Sequence, residues 1–296
     1  MGACWEGCLG VLLSSEPITH GPIVAVGSAT AATIWMRGTA EGAVRVTFWP
    51  SDEKASQGSV MAWLDANADF TGRARLTGLR PGTQYSFGVH TGTSSASRHG
   101  SFRTPGLPTG GGDSSKCSFV FGSCVGGQGY GRVAGDGPES GFAAFTAMAG
   151  CKPDFFMCNG DFIYADNAIE AVGSMPWNKG TSHVVGEGMA VASDLDGFRA
   201  RYRYHLADDK LAAFLASTSL LSTWDDHEIV DDWGAEKMRA AGQGALLEAG
   251  QRAWFEYQPH EGPSAEPRRV YRTVRWGAHV ELFVLDCRLP NRGSNL

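Results

Sequence analysis

The periodicity of the apolar residues changes once along this chain of 296 residues, and that change is the strongest constraint on its fold. From about residue 20 to 104 apolar and polar residues alternate, as in 44–49 (VRVTFW) and 84–90 (QYSFGVH). Such alternation is typical of half-buried β-strands. A Gly-, Pro- and Ser-rich stretch, 105–116, then leads into a region where apolar strands alternate with amphipathic helices. The sequence therefore predicts two domains joined by a linker.

The first predicted domain, 20–104, is an all-β sandwich of the fibronectin type III or Ig-like kind. Pro81 and Gly82 mark a turn just before Tyr85, an arrangement that suits the tyrosine corner of such sandwiches. Residues 1–19 are predicted to form an N-terminal tail and 105–116 the linker. Modules of this kind commonly bind or space other parts, and nothing in this one indicates catalysis.

The second predicted domain, 117–296, has the strand and helix order of a layered α/β fold. Strands are predicted in 117–124 (CSFVFGSC), 154–164 (DFFMCNGDFIY), 219–224 (SLLSTW) and 279–288 (HVELFVLDCR). A helix capped by Ser140 is predicted in 140–150, and two amphipathic stretches lie within 198–217. The Gly-rich segment between Ala165 and Ser193 is long enough to form a lid or a pocket wall.

Composition excludes several classes of protein. A formal net charge of −6 argues against a nucleic-acid-binding surface, and no apolar run reaches the roughly 18 residues that a membrane span needs. The N-terminus makes a poor signal peptide, so the sequence does not predict a cellular location. The seven cysteines form no CxxC pair, which excludes a zinc ribbon, and most are expected to be buried.

Polar groups follow three successive predicted strands. The first strand ends at Cys124, the second runs into Asp161 and Tyr164, and the third leads into 222–234 (STWDDHEIVDDWG). Ligands of open α/β sheets bind beyond the carboxyl ends of the strands, so these groups are expected at one rim. Carboxylates alone suit Mg²⁺ or Ca²⁺, while a thiolate or phenolate favours a transition metal such as ferric iron. An isolated aspartate after a strand is more often a turn residue, but the combination favours a metal site.

Competing motifs do not fit. The glycines of 122–132 (GSCVGGQGYGR) match neither a dinucleotide-binding fingerprint nor a phosphate-binding loop. Ser123 lies in Gly-Ser-Cys and not in the Gly-x-Ser-x-Gly of serine hydrolases.

The segments FGSC, NGDFIYAD, STWDDHEIVDDWG and YRTVRWGAHVELFVLDCR resemble the PhoD-like alkaline phosphatases. These belong to the calcineurin-like metallophosphoesterase superfamily and are related to purple acid phosphatases. The sandwich segments LTGLRPGTQY and GSFRT are similar to the N-terminal domain of the same family, so the resemblance covers about 20–290. It implies a metallophosphoesterase-like layered sandwich that hydrolyses phosphate monoesters or diesters with a metal-activated water, at a site holding Fe³⁺ and Ca²⁺.

The resemblance also implies roles for individual residues. Asp161 would bridge two metal ions, while Cys124 and Tyr164 would bind iron. Asp226 would take the place of an asparagine ligand in related enzymes. His227 would stabilise or protonate the departing alkoxide.

Asp225 and Glu228 are expected to orient the metal ligands and His227 without binding metal themselves. The family closes its site with later histidines in a segment like Gly-Asp-x-His, whereas this sequence stops at Leu296 and His279 is interpreted as structural. We therefore expect an incomplete fold, with the chain truncated or completed by a partner. Relatives are usually secreted or periplasmic.

Two alternatives remain open from the sequence. One is a catalytically inactive fragment that acts as a binding or structural module through its β-sandwich. The other is a metal-dependent hydrolase of a different ester. The expected partner is a phosphate ester substrate, and the sequence does not predict an oligomeric state.

Overall fold

The computed structural model describes residues 17–92, 98–109, 116–126, 129–260 and 269–288. Most of the predicted tail and about half of the predicted linker, with Cys4 and Cys8, lie outside these ranges. The domain boundaries drawn from the sequence therefore stay predictions.

Seven antiparallel strands form the N-terminal part. They are β1 (Ile18–Ser28), β2 (Ala31–Gly38), β3 (Gly42–Pro50), β4 (Gly58–Leu64), β5 (Thr71–Thr77), β6 (Gln84–His90) and β7 (Arg98–Arg103). One sheet has the order β1-β2-β5 and the other β4-β3-β6-β7. Inward side chains of both sheets, among them Val24, Ile34, Val46 and Phe87, share one apolar core. The predicted β-sandwich is present, and its finer fibronectin type III character stays a prediction.

The expected tyrosine corner is present in this sandwich. The buried Tyr85 accepts a hydrogen bond from the backbone N–H of Arg80 at 2.8 Å. Its ring stacks on Phe102 with centroids 5.4 Å apart. This contact fixes the turn at Pro81 and Gly82 against the strand that follows.

The C-terminal part alternates strands and helices, as the sequence predicts. Its elements are β8 (Phe119–Gly122), α1 (Ala144–Gly150), β9 (Phe155–Asn159), α2 (Leu195–Leu206), α3 (Asp209–Leu215), β10 (Ser219–Thr223), α4 (Ala235–Ala240), α5 (Gly244–Tyr257), β11 (Arg272–Trp276) and β12 (Val280–Val284). Strands β8, β9 and β10 form a parallel sheet in the order β10-β9-β8, and β11 pairs with β12 in antiparallel fashion. None of the helices within the described ranges combines the length and apolar character that a membrane crossing needs.

Two local expectations are wrong, and one strand is more exposed than its apolar residues indicate. Ser140 does not cap a helix, because α1 begins at Ala144 and the Ser140 hydroxyl donates to the carbonyl of Gly137. Strand β8 is not buried: Phe121 is 68% exposed, since β8 lies at the edge of the described sheet. Of the five cysteines in the described ranges, Cys158 alone is fully buried.

The two parts pack against each other through a shared core. Phe155 and Leu221, from β9 and β10, lie in the same apolar cluster as the interior of the sandwich. The backbone N–H of Val26 donates to the Ser219 hydroxyl at 2.9 Å, and the Trp35 indole donates to the carbonyl of Glu256 at 2.7 Å. The parallel sheet is thus held directly on the sandwich.

An ionic cluster around Asp69 strengthens this contact. The Asp69 carboxylate accepts two hydrogen bonds from Arg37, at 2.9 and 3.0 Å, and one from Arg203 of α2 at 2.6 Å. The Tyr257 hydroxyl donates to it as well. Burial acts to raise the pKa of Asp69, but these donors lower it to about 2. The cluster ties the loop before β5 to α2 and α5.

Candidate metal centre

The parallel register of β8, β9 and β10 brings their carboxyl ends to one rim. The loops after β8 and β9 are paired there, since Val125 N–H donates to the Asp161 carbonyl at 2.7 Å. Cys124 and Asp161 both have left-handed backbones, with φ of 58° and 51°. Such conformations are uncommon outside glycine and concentrate at functional sites. Here these conformations place the Cys124 thiol 3.3 Å from the Asp161 carboxylate.

Glycine 160 allows the loop after β9 to approach the loop after β10. Its φ is +102°, and a Cβ atom at this position would lie 2.5 Å from the backbone nitrogen of Asp225. A side chain at residue 160 would therefore push the two loops apart.

Asp161, Asp226 and His227 lie together at this rim. Each offers one ligand atom, and these three atoms lie within 4.8 Å of one another. Both carboxylates are buried, at 6% and 8% exposure. Burial raises the pKa of Asp161, and the charges of Asp225 and Asp226 raise it further. A cation between these groups would relieve that repulsion, so the donor set fits a metal ion.

Cys124 and Tyr164 both reach the same oxygen of Asp161. The Cys124 thiol lies 3.3 Å from Asp161 Oδ2, and the Tyr164 hydroxyl lies 3.5 Å from it. Burial raises the pKa of Tyr164 well above its usual value. The other four residues that the sequence singled out thus lie around Asp161, and whether each of the five binds metal or acts in catalysis stays a prediction. A thiol and a phenol beside carboxylates would suit ferric iron better than Mg²⁺.

The imidazole of His227 is oriented by a residue that the sequence analysis did not single out. Its Nδ1 lies 2.9 and 3.0 Å from the two carboxylate oxygens of Asp166. Asp166 is held in turn by the backbone N–H of Asp231 at 2.7 Å. Burial acts to lower the pKa of His227, but the carboxylate of Asp166 raises it above its usual value. Asp166 closes the quoted segment NGDFIYAD, which was the only signal for it.

An aromatic stack supports the same histidine. The ring centroids of Tyr164 and His227 are 4.4 Å apart, and those of Tyr164 and Tyr130 are 4.1 Å apart. Tyr164 is therefore held by contacts with two rings as well as by its contact with Asp161.

Glu228 lies beneath the site and is fully buried. Its Oε2 accepts from the backbone N–H groups of Asp161 at 3.1 Å and Asp225 at 2.8 Å, while Oε1 accepts from Phe162 at 2.6 Å. Burial raises the pKa of Glu228 to about 8, although these N–H donors act in the opposite direction. One carboxylate thus joins the loops after β9 and β10, in agreement with the orienting role expected for it.

Arg288, at the end of the segment after β12, is a second residue that the sequence did not reveal. Its Nε and Nη2 donate to Asp225 Oδ1 at 2.9 and 2.5 Å, and Nη2 lies 3.6 Å from Asp226 Oδ2. Burial acts to raise the pKa of Asp226, but the backbone N–H of Asp232 and the charge of Arg288 lower it below its usual value. Arg288 therefore helps to keep Asp226 ionised.

The long loop expected to form a pocket wall is tied to α2. The fully buried Arg201 donates to the carbonyl oxygens of Asn167 and Ala190 at 2.7 and 2.9 Å. The pKa of Arg201 is lowered by burial, to about 10. The loop packs beside the candidate metal-binding groups, since Ala165 N–H donates to the His227 carbonyl at 2.8 Å.

The sequence matches a family model described as PhoD-like phosphatase over residues 119–295. This match covers more than half of the chain and includes every residue of the site. The chain belongs to the PhoD-like phosphatase family. It is 29% identical to alkaline phosphatase D of Bacillus subtilis (strain 168) over 220 residues, which are 71% of this chain and 34% of that protein. It therefore spans about a third of the length of this family relative.

Two solved structures have a similar fold. A structure of PhoD matches with a TM-score of 0.77 at 20% identity, over 93% of this chain and 53% of that one. Purple acid phosphatase PPD1 from yellow lupin (Lupinus luteus) seeds matches with a TM-score of 0.53 at 12% identity, over 87% of this chain and 43% of that one. These likenesses show that the chain has the mixed sheet and helix architecture of these phosphatases.

Proposed function

We propose that this chain is a metal-dependent hydrolase of phosphate esters, either a phosphomonoesterase or a phosphodiesterase. The observation that carries the proposal is the convergence of Asp161, Asp226 and His227 within 4.8 Å at the carboxyl ends of the strands, in a member of this family. The alternative of an inactive binding module is not favoured.

Four residues would hold the metal ions, which we propose to be Fe³⁺ and Ca²⁺. Cys124 and Tyr164 would bind iron, Asp161 would bridge the two ions, and Asp226 would bind from the loop after β10. When bound, the ions supply positive charge that activates water and neutralises the phosphate group.

His227 would act on the leaving group. Because Asp166 holds Nδ1 of the imidazole at 2.9 Å and the exposed Asp231 comes no closer than 3.9 Å to Nε2, Nε2 is accessible to the substrate. The proton on Nε2 would pass to the departing alkoxide oxygen as its bond to phosphorus breaks. Asp166 keeps the imidazole in the required orientation throughout.

Metal analysis and two chromogenic substrates test this proposal. The purified chain should contain iron and calcium by mass spectrometry and should hydrolyse p-nitrophenyl phosphate or bis-p-nitrophenyl phosphate at alkaline pH. A chain that binds neither metal and hydrolyses neither ester would show the proposal to be wrong.

A cysteine pair tests the ligand assignment separately. Cys124→Ser should lose iron and its visible absorption together with most activity, because a thiolate ligand is removed. Cys151→Ser is the matched control, since Cys151 is also an exposed thiol and its Sγ only contacts the Ala147 carbonyl. Equal iron content in the two variants would exclude Cys124 as a ligand.

A further inference from the structure

A cavity of about 630 Å³ opens directly beside the metal-binding groups. It lies between the loop after β8 and the start of α1, and Cys124 forms part of its wall. Cavities of roughly 300–1,000 Å³ hold small organic ligands. Most of the bulk of its wall is apolar and comes from Val125, Val133, Phe142, Phe145, Met148 and Phe156.

The charge of the residues that line the cavity disfavours binding of a phosphate group inside it. Among its lining residues in the part of the chain that the structure describes, Glu139 carries the one charge, and there is no lysine, arginine or histidine. An anion inside would lose its hydration and gain no cationic partner. The cavity therefore suits an uncharged group.

Hydrogen bonds hold the wall in place. The Asp208 carboxylate accepts from the N–H of Phe142 at 3.1 Å, and Lys210 donates to the Ser140 carbonyl at 2.7 Å. Gly141, with φ of +60°, lies so close to Asp208 that a Cβ atom would be 2.2 Å from its carboxylate. A preformed wall loses little conformational freedom when it binds a ligand.

The cavity adjoins the candidate metal centre at one residue. The Cys124 thiol lines the cavity and also lies 3.3 Å from Asp161 Oδ2. A phosphate group held at Asp161 and Asp226 would thus have an apolar cavity next to one of its ester oxygens.

We propose that this cavity binds the apolar ester group of the substrate, an alkyl chain or an aromatic ring, and so makes this enzyme selective for phosphate esters of apolar alcohols. The proposal rests on the proposed function, because it assumes that the phosphate binds at the neighbouring metal centre. Selectivity comes from transferring apolar surface of the ester group from water into the cavity.

A series of n-alkyl phosphates measures this selectivity. Ethyl, butyl and hexyl phosphate share the same reacting atoms, so differences in kcat/KM report on the chain. Each methylene group that enters the cavity should raise kcat/KM about three- to fourfold. A hexyl chain ending in a carboxylate should lose most of this gain, because Glu139 repels it.

Two tryptophan substitutions on α1 provide a matched comparison. Ala144 is exposed and lines the cavity, whereas Ala147 is exposed on the same helix and does not line it. In Ala144→Trp the large ring should fill the cavity, so the ratio of hexyl to ethyl phosphate hydrolysis should fall towards one. Ala147→Trp should keep the ratio of the parent protein. Unfolding midpoints of both variants check that they fold.

The results separate the two proposals. If the metal-loaded chain hydrolyses esters but treats ethyl and hexyl phosphate alike, or if both tryptophan variants change the ratio equally, the cavity assignment is wrong. If it hydrolyses none, the proposed function is wrong, and equilibrium dialysis with 2-naphthol then tests the cavity alone. Binding to the parent and Ala147→Trp but not to Ala144→Trp supports an apolar site, and equal binding to all three, or to none, overturns it.

Discussion

Replacing Glu228 with glutamine tests whether one buried carboxylate holds the two metal-binding loops together. The two oxygens of Glu228 divide three donors between them: Oε2 accepts from Asp161 and Asp225, and Oε1 accepts from Phe162. Since Glu228 is 0% exposed, a donor that loses this partner finds no water in its place.

The expected loss of stability follows from how the three N–H donors are shared between the two oxygens of Glu228. Glutamine has the same shape but a single acceptor oxygen, and it keeps most hydrogen bonds when that oxygen takes the place of Oε2. Its NH₂ group then faces the N–H of Phe162, which is left unsatisfied at a cost of about 1–3 kcal/mol. Glu228→Gln should lower the free energy of unfolding by this amount. The figure applies at pH 7, where Glu228 with a pKa of about 8 is mostly neutral, as glutamine is.

Urea unfolding of the metal-free chain measures this loss, with an unchanged m-value expected. Glu236→Gln, an exposed glutamate in the first turn of α4, is the control and should unfold with the parent. Metal affinity should also fall, by about 10- to 100-fold, as for other residues that orient metal ligands. If Glu228→Gln unfolds at the same urea concentration as Glu236→Gln, Glu228 does not hold the loops.

Three further predictions concern other charged groups. Asp166→Asn should reduce kcat, by at most the roughly 10²–10⁴-fold of acid catalysis, and more for alkyl than for p-nitrophenyl esters, which need no proton. Asp69→Asn should destabilise the chain at pH 7 by about 1–3 kcal/mol in urea unfolding, because the partly buried Arg37 loses its carboxylate partner and Arg203 keeps only Glu187 of its two ion-pair partners within the described ranges. With a folded pKa of about 2, below its usual 3.8, Asp69 loses this effect as the pH falls through that range. Burial and the charge of Arg37 lower the pKa of His20 from 6.5 to about 4. The contribution of His20 to stability is therefore complete above pH 6.5 and decreases by about 3 kcal/mol down to pH 4, a decrease that His20→Gln should remove.

Each of these predictions has an outcome that contradicts it. Equal losses of kcat on alkyl and aryl esters would exclude a proton-transfer role for the pair of Asp166 and His227. An Asp69→Asn variant with the parent's urea midpoint at pH 7 would show that the cluster contributes no net stability; Glu53→Gln, which removes an exposed partner of Arg80, gives the baseline. If the free energy of unfolding falls equally between pH 6.5 and pH 4 in the parent and in His20→Gln, His20 does not cause this decrease.

The rim of the sheet could be predicted because it depends on local order along the chain. Each of β8, β9 and β10 is a short, mostly apolar segment followed within three residues by a polar side chain, and parallel strands bring such ends together. The positions of Cys124, Asp161 and Asp226 follow from this rule alone. The prediction that each of them binds metal depended on the family resemblance.

The residues that the sequence did not reveal act across long separations. Asp166 is 61 residues from His227, and Arg288 is 63 residues from Asp225, so no local spacing indicates either pair. Helix α5 is different, because Leu247, Gly250, Ala253, Trp254 and Tyr257 recur at helical spacing and are all buried. This periodicity is enough to predict a helix at 244–257. The exposure of β8 depends on its position in the sheet, which its own residues do not encode.

The β-sandwich contributes to the site through α2. Arg203 of this helix binds Asp69 of the sandwich, and Arg201, on the same helix two residues earlier, holds Asn167 and Ala190 of the long loop. A helix keeps its residues at fixed positions relative to one another, so the ion pair that locates Arg203 also locates Arg201. The loop beside the candidate metal-binding groups is therefore positioned by the sandwich, so the sandwich supports the candidate site and is more than a spacer.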